Sequence, residues 1–329
     1  MARPLGIRCC ALVLSAMCAR AYAQEVAVEP EITKPDDFVY VAATHEDRIG
    51  RVMLPVFVND VGPLAFLVDT GASSTVLAPR VATRLKLVPD KVRLKLLRGI
   101  TGSELVPTVL VDKITAGGIL LTMRDLPVVE PRVFADADGI FGADAFGGGC
   151  LHVDFAHARV SILQRNCPRV GGDWEVLPAT LKFGGLPVVA ARVGRVKVTA
   201  IIDTGAERSL GNPALLAAAH LESQAADPAT RIQVYAATSQ PVFGNVIVTP
   251  ALHIGDVEVA NLSAVFGPFE VFRMWGVENE PALVVGMDVL GSTDGMMIDF
   301  KRAQVRLLPH LDPGSVIMRQ DGVPGRIRH

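Results

Sequence analysis

Two aspartates stand in matching surroundings. Asp69 lies in FLVDTGASST (residues 66–75) and Asp203 in AIIDTGAERS (residues 200–209). A solitary Asp-Thr-Gly is a surface turn more often than a site. Two copies, each straight after an apolar run, point to two carboxylates that work together. Two carboxylates held close cannot both ionise cheaply, so such a pair keeps one proton between them over a wide pH range. One can then take a proton from a water that attacks a carbonyl, while the other gives a proton to the carbonyl oxygen. That is hydrolysis without a metal or a covalent intermediate. The neighbouring residue types suit the task. Gly71 and Gly205 allow a tight turn and a close backbone approach. Thr70 and Thr204 supply hydroxyls that can bond between the two copies. Ala72 and Ala206 are small enough to admit a substrate backbone. Leu67, Val68, Ile201 and Ile202 form an apolar floor, which raises carboxyl pKa values by desolvation.

Other chemistries find little support. The seven histidines are scattered, with no His-x-x-x-His and no Cys/His cluster, which argues against a metal site. FGGGC (146–150) lacks the Lys-Ser/Thr of a phosphate loop, and no cofactor is implied. A formal net charge of −2 gives no general attraction to nucleic acid. The basic end Arg326–His329 reads as a frayed terminus. At the other end, Arg3 and Arg8, the apolar run Cys9–Ala19 and the small-x-small triplet Ala21-Tyr22-Ala23 form the three parts of a secretory leader. Residues 1–23 are therefore expected to be cleaved, leaving a periplasmic or secreted protein with no stable membrane anchor. Of five cysteines, Cys9, Cys10 and Cys18 leave with the leader. Cys150 and Cys167 remain, at the open end of a hairpin formed by LHVDF and RVSIL. In an oxidising compartment they are a candidate disulfide. The rival reading, Cys150 as a nucleophile beside His152, lacks supporting groups.

The elements that must position the aspartates come in two copies. The first reads LPVFVNDVGPLAFLVDTGASSTVL, then DGIFGADAF, then LHVDFAHARVSILQ. The second reads LPVVAARVGRVKVTAIIDTGAERSL, then PALVVGMDVLG, then MMIDFKRAQVRLLP. The interval from Asp203 to Gly286 exceeds that from Asp69 to Gly142, as loop insertion would produce. Short β-branched runs punctuated by Gly and Pro predict strands. LAFLVDT and VTAIIDT, apolar throughout, predict buried central strands. Brief helices are expected at Ala78–Leu87 and Asn212–Glu222, the second with Asn212 as N-cap before Pro213. The expected organisation is a leader (1–23), an arm (24–44) that is either a lead-in strand or a removable segment, a first lobe (45–168), a linker (169–176), a second lobe (177–312) and a tail (313–329).

These motifs resemble the retropepsin-like aspartic proteases, in the two-lobed single-chain arrangement also found in pepsin. LVDTGA and IIDTGA match the family's catalytic loops. IFG (Ile140–Gly142) and VVG (Val284–Gly286) match the motif that threads behind each loop. The likeness extends over nearly all of Leu54–Pro309. It implies an all-β fold of two homologous β-barrel lobes with short helices and a catalytic cleft between them. It implies Asp69 and Asp203 as the dyad, with Thr70 and Thr204 holding the loops in register. It implies an endopeptidase acting on peptide or protein substrates, complete in one chain as an internal pseudo-dimer. Asp144 in GAD and Asp288 in GMD are read as helix caps; Glu207 and Arg208 could contact substrate or pair with Asp288, and structural pairing is the favoured role. The family's covering hairpin is matched by Gly99-Ile100-Thr101-Gly102 in the first copy and by the region of Tyr235 in the second. Either or both could close the cleft, and Tyr235 is equally a flap residue or a strand residue. Trp174 and Trp275 are read as packing residues, although Trp275 lies in a long loop of the second copy, FEVFRMWGVENEP, that could border the cleft. The alternative to an endopeptidase is an inactive peptide-binding protein of the same fold.

Overall fold

A computed structural model describes residues 51–117, 119–129, 137–164, 167–235 and 242–310, together with the backbone of 41–43. The leader, the tail and most of the arm lie outside the described residues. The arm's end forms strand β1 (Val41–Ala43). The first lobe continues with β2 (Met53–Val58), β3 (Val61–Val68), β4 (Val76–Leu77), helix α1 (Pro79–Arg84), β5 (Asp90–Gly99), β6 (Gly102–Ala116), β7 (Ile119–Pro127) and β8 (Gly139–Phe141). These strands form one sheet in the order β4-β8-β3-β2-β6-β5, with β7 also on β6. β2 alternates, burying Leu54, Val56 and Val58, as a strand with one face in the core should. β3 ends differently. Phe66, Leu67 and Val68 are all buried, and β3 lies inside the sheet between antiparallel β2 and parallel β8. The continuous apolar run before Asp69 is thus a strand covered on both faces.

The hairpin β9 (Cys150–Asp154) and β10 (Arg159–Leu163) ends the first copy. The second copy repeats the plan with β11 (Glu175–Lys182), β12 (Leu186–Val193), β13 (Val196–Ile202), β14 (Leu210–Gly211), α2 (Pro213–Ala218), α3 (Glu222–Ala225), β15 (Arg231–Val234), β16 (Val242–Val248), β17 (Leu252–Ile254), β18 (Val257–Val259), β19 (Ser263–Phe266), α4 (Glu270–Met274), β20 (Ala282–Val285) and α5 (Met287–Leu290). It closes with the hairpin β21 (Thr293–Asp299) and β22 (Gln304–Pro309). Like β3, β13 runs between an antiparallel neighbour, β12, and a parallel one, β20. Ala200, Ile201 and Ile202 are fully buried. The Asn212 side chain caps α2, accepting the Leu215 amide at 2.9 Å.

The copies are not closed off from one another. β9 pairs with β21 from Gly295↔Asp154 to Asp299↔Cys150, so the terminal hairpins of both copies join in one sheet, β1-β10-β9-β21-β22-β11. β11 begins at Glu175, inside the segment read as linker, and takes its place at that sheet's end.

Cys150 and Cys167 are joined in a disulfide, with their Cα atoms 5.1 Å apart. It ties β9 to the chain leaving the first copy and packs with Leu163, Met297, Val170 and Trp174. Next to it Asp299, wholly buried, accepts from the Arg302 amide at 2.8 Å and guanidinium at 3.1 Å. Arg306 donates to the Pro168 carbonyl at 2.6 Å. Cross-linking residues 17 apart restricts the unfolded chain by about 3 kcal/mol. Cys150→Ser/Cys167→Ser is therefore expected to lose about that much in urea unfolding. An unchanged midpoint would show that the neighbouring contacts alone fix this corner.

Candidate active site

Each Asp-Thr-Gly-Ala leaves a buried strand and turns at once. The turn is held first by its own aspartate. Asp69 Oδ1 accepts the amides of Gly71 and Ala72 at 2.9 and 2.8 Å. Asp203 Oδ1 accepts those of Gly205 and Ala206 at 2.8 and 3.1 Å. Each loop is then clamped from behind. The Asp69 amide donates to Phe141 O at 3.1 Å and the Asp203 amide to Val285 O at 3.0 Å. The two IFG and VVG segments, on β8 and β20, therefore support the loops they follow in sequence.

The threonines join the two loops. Thr70 N–H donates to Thr204 Oγ1 at 3.2 Å, and Thr204 N–H donates to Thr70 Oγ1 at 3.1 Å. Each hydroxyl donates onward to the end of the opposite strand, Thr70 to Ile202 O at 2.8 Å and Thr204 to Val68 O at 2.7 Å. Both threonines are fully buried, so these bonds face no competition from water. The clamp brings the aspartates together. The carboxyl of Asp203 packs on Gly71, where a Cβ would lie 2.2 Å from its carboxyl carbon, and Asp69 packs on Gly205 equally closely, at 2.2 Å. The two carboxyls hydrogen-bond to one another. Asp203 is buried and Asp69 half-buried. Burial raises both above the ordinary carboxyl range, and Asp203 rises well above it because the Asp69 charge adds to the burial. Such a pair can carry one proton and one charge, poised on either side of a water.

Asp144 and Asp288 do not cap their helical turns. Asp144 accepts the Thr75 amide and hydroxyl, both at 2.8 Å, and Asp288 accepts those of Ser209 at 2.9 and 2.7 Å. Thr75 and Ser209 face inward from the chain leaving each loop, so each carboxylate finds two donors there and serves as a brace. Gly142 N–H donates to Thr75 Oγ1 at 3.2 Å and Gly286 N–H to Ser209 Oγ at 3.1 Å, completing each brace. Asp288 is thus occupied by Ser209, while Glu207 and Arg208 are exposed. Thr75 and Ser209 were missed in the motif reading. Their signal was a hydroxyl residue at the same offset after each aspartate.

The profile described as aspartyl protease matches residues 54–145 and 189–289, once in each lobe. The chain belongs to the aspartyl protease family. No curated protein matches it. In the first lobe β5 and β6 turn at Ile100 and Thr101, with Gly99 opposite Gly102. The turn reaches the other lobe. Ile100 O accepts the Val271 amide at 3.4 Å, and Ser103 Oγ lies 3.2 Å from Met274 Sδ. Ile100 also packs against the cluster that holds Ala206, Val271 and Phe272. The corresponding hairpin of the second lobe, β15–β16, turns through residues outside those described. Tyr235, just past the end of β15 on the turn side, is half exposed and its hydroxyl donates to Gln233 on β15 at 2.8 Å. Trp275 stacks on Phe183, with ring centroids 5.1 Å apart, and Trp174 packs edge-on to His152. Among the described residues no group of three His, Cys, Asp or Glu side chains is arranged to hold a metal ion.

Proposed function

We propose that this aspartyl protease family member is an exported endopeptidase that cleaves peptide bonds with Asp69 and Asp203. The observation that carries the reading is the meeting of the two loops, each carboxyl seated on the glycine of the other loop. With a peptide in the cleft, the ionised carboxylate takes a proton from water as the water oxygen attacks the carbonyl carbon. The protonated carboxyl gives its proton to the carbonyl oxygen, leaving a neutral gem-diol. In the second step a diol hydroxyl returns a proton to the carboxylate beside it. The other carboxyl protonates the amine nitrogen, the C–N bond breaks, and the dyad again holds one proton. Half-buried Ala72, buried Ala206 and the hairpin tip at Ile100 border the space the peptide would take. Both aspartates come from one chain, so we read the active unit as a monomer. Export is supported by the leader pattern of residues 1–23 and by the Cys150–Cys167 disulfide.

The test is digestion of an unstructured protein by the purified mature chain, with and without a pepstatin-type inhibitor, across pH and enzyme dilution. Cleavage is expected to be blocked by the inhibitor and to be constant per molecule on dilution. Because both carboxyls titrate above their ordinary range, the singly ionised dyad should persist to higher pH and give a bell-shaped profile with a mildly acidic optimum. Serine at positions 72 and 206 would add a hydroxyl donor to each carboxylate and should move the profile to lower pH. An optimum in strong acid would refute this account of the pair.

A further inference from the structure

Four ionisable side chains are buried among the described residues, Arg51, Asp203, Asp299 and Arg306. Asp299 and Arg306 answer one another in the shared sheet at 3.6 Å, and Asp203 belongs to the dyad. Arg51 has no part in the chemistry derived above, yet it is 2% exposed. Its place in the fold is specific. β2 and β3 pair with Met53 opposite Leu67, and the Val68 amide donates to Val52 O at 2.9 Å. Continued by one more residue, this register sets Arg51 opposite Asp69. In the second lobe Val188 pairs with Ile201, and the same continuation sets Leu186, an apolar and buried residue, opposite Asp203.

The two halves of the dyad are matched in their hydrogen bonds but not in burial, Asp203 being buried and Asp69 half-buried. Each aspartate receives two backbone amides from its own loop, and each seats on the other loop's glycine. The difference in burial already favours the charge on Asp69, and Arg51 stands on that same side. We propose that Arg51 is a positioning residue that reinforces this difference, holding the charge of the dyad on Asp69 and so making Asp69 the base and Asp203 the acid. Among the described residues, the charges that act on Asp69 include that of Arg51, and the charge that acts on Asp203 is that of Asp69. Burial raises both carboxyls, the two amides of each loop lower its own aspartate, and the Arg51 charge lowers Asp69 further. A buried cation beside a carboxylate acts through low dielectric and loses little to salt.

The proposal rests on the dyad reading, and its test separates the two. Carbon-13 NMR of the aspartate carboxyls, assigned with Asp69→Asn and Asp203→Asn, needs no turnover. In the native sequence the Asp69 carboxyl is expected to ionise at the lower pH. In Arg51→Met, whose side chain fills similar space without charge, the Asp69 titration should move up by about one pH unit, and the acid limb of the cleavage profile with it. Arg51→Lys should keep both near their original positions. Thermal unfolding of each variant shows whether the fold survives, and the native titration stands if Arg51→Met does not fold. Asp203 ionising first in the native protein, or a folded Arg51→Met with both titrations unmoved, would overturn the assignment. A native chain that shows the Asp69 charge but cleaves nothing would instead overturn the peptidase reading alone.

Discussion

Asp69→Asn and Asp203→Asn should each lower kcat by about 10³-fold, close to the limit of detection. An amide neither accepts the water proton nor donates an acidic one, and the partner aspartate cannot perform both transfers within one step. The single variants should therefore be about as inactive as the double variant, since groups that act as a unit do not add. Folding should respond in the opposite sense. The folded pKa of Asp203 is raised, so the unfolded chain gives up its proton first as pH rises. Stability from this group is present below the ordinary aspartate range and is lost as pH climbs through the raised folded value. Asp203→Asn removes that loss. It should melt higher than the native protein at neutral pH and close to it in acid, where Asp203 is protonated in both states. Substantial hydrolysis by either variant would sink the dyad. Equal melting temperatures at neutral pH would show that the pair is not under strain.

Gly71→Ala and Gly205→Ala are expected to be nearly as damaging by a different route. A methyl at either position would sit 2.2 Å from the carboxyl carbon of the opposite aspartate. The carboxyl has no easy retreat, because two amides of its own loop hold its Oδ1. Nor can the loop withdraw from a buried threonine clamp. The strain should cost about 1–3 kcal/mol of stability, and an aspartate moved by about 1 Å should lose about 10²-fold in kcat. Gly171, with open space around its Cβ position, is the control, and Gly171→Ala should behave as the native protein in urea unfolding and cleavage. Native activity in Gly71→Ala would mean that the carboxyls do not work in the close arrangement described.

What the sequence made legible was whatever it repeated. The apolar runs ending at Val68 and Ile202 announced central strands, since a strand covered on both faces has no polar side to show. The Asp-Thr-Gly-Ala pairs and the IFG and VVG segments identified both loops and their supports, and the matching offsets told which belonged to which. Less legible were interactions made by register. Asp144 and Asp288 look like helix caps in a string of letters, and only the fold brings Thr75 and Ser209 within reach of them. Arg51 carries no motif at all. Its position opposite Asp69 depends on how β2 pairs with β3, and a shift of one residue would have turned it to the other face. The Ile100 contact with α4 was equally hidden, because it joins residues far apart in the chain that share no repeat.

The pairing of β9 with β21 bears on how the chain comes to be folded. Synthesis runs from the N-terminus, and β9 is made some 140 residues before the strand that covers its open side. Throughout that interval the first lobe carries a bare edge of β9, flanked by Leu151 and Val153, with its amides and carbonyls unsatisfied. An edge left waiting is a template for any other extended chain, including a neighbouring copy at the same stage. The half-made molecule is thus the form most prone to aggregate, and a chaperone that shields extended apolar segments would act on it at this stage. Completion of β21 ends the exposure in one step, because the last hairpin covers the edge and fixes the second aspartate's lobe to the first at the same moment.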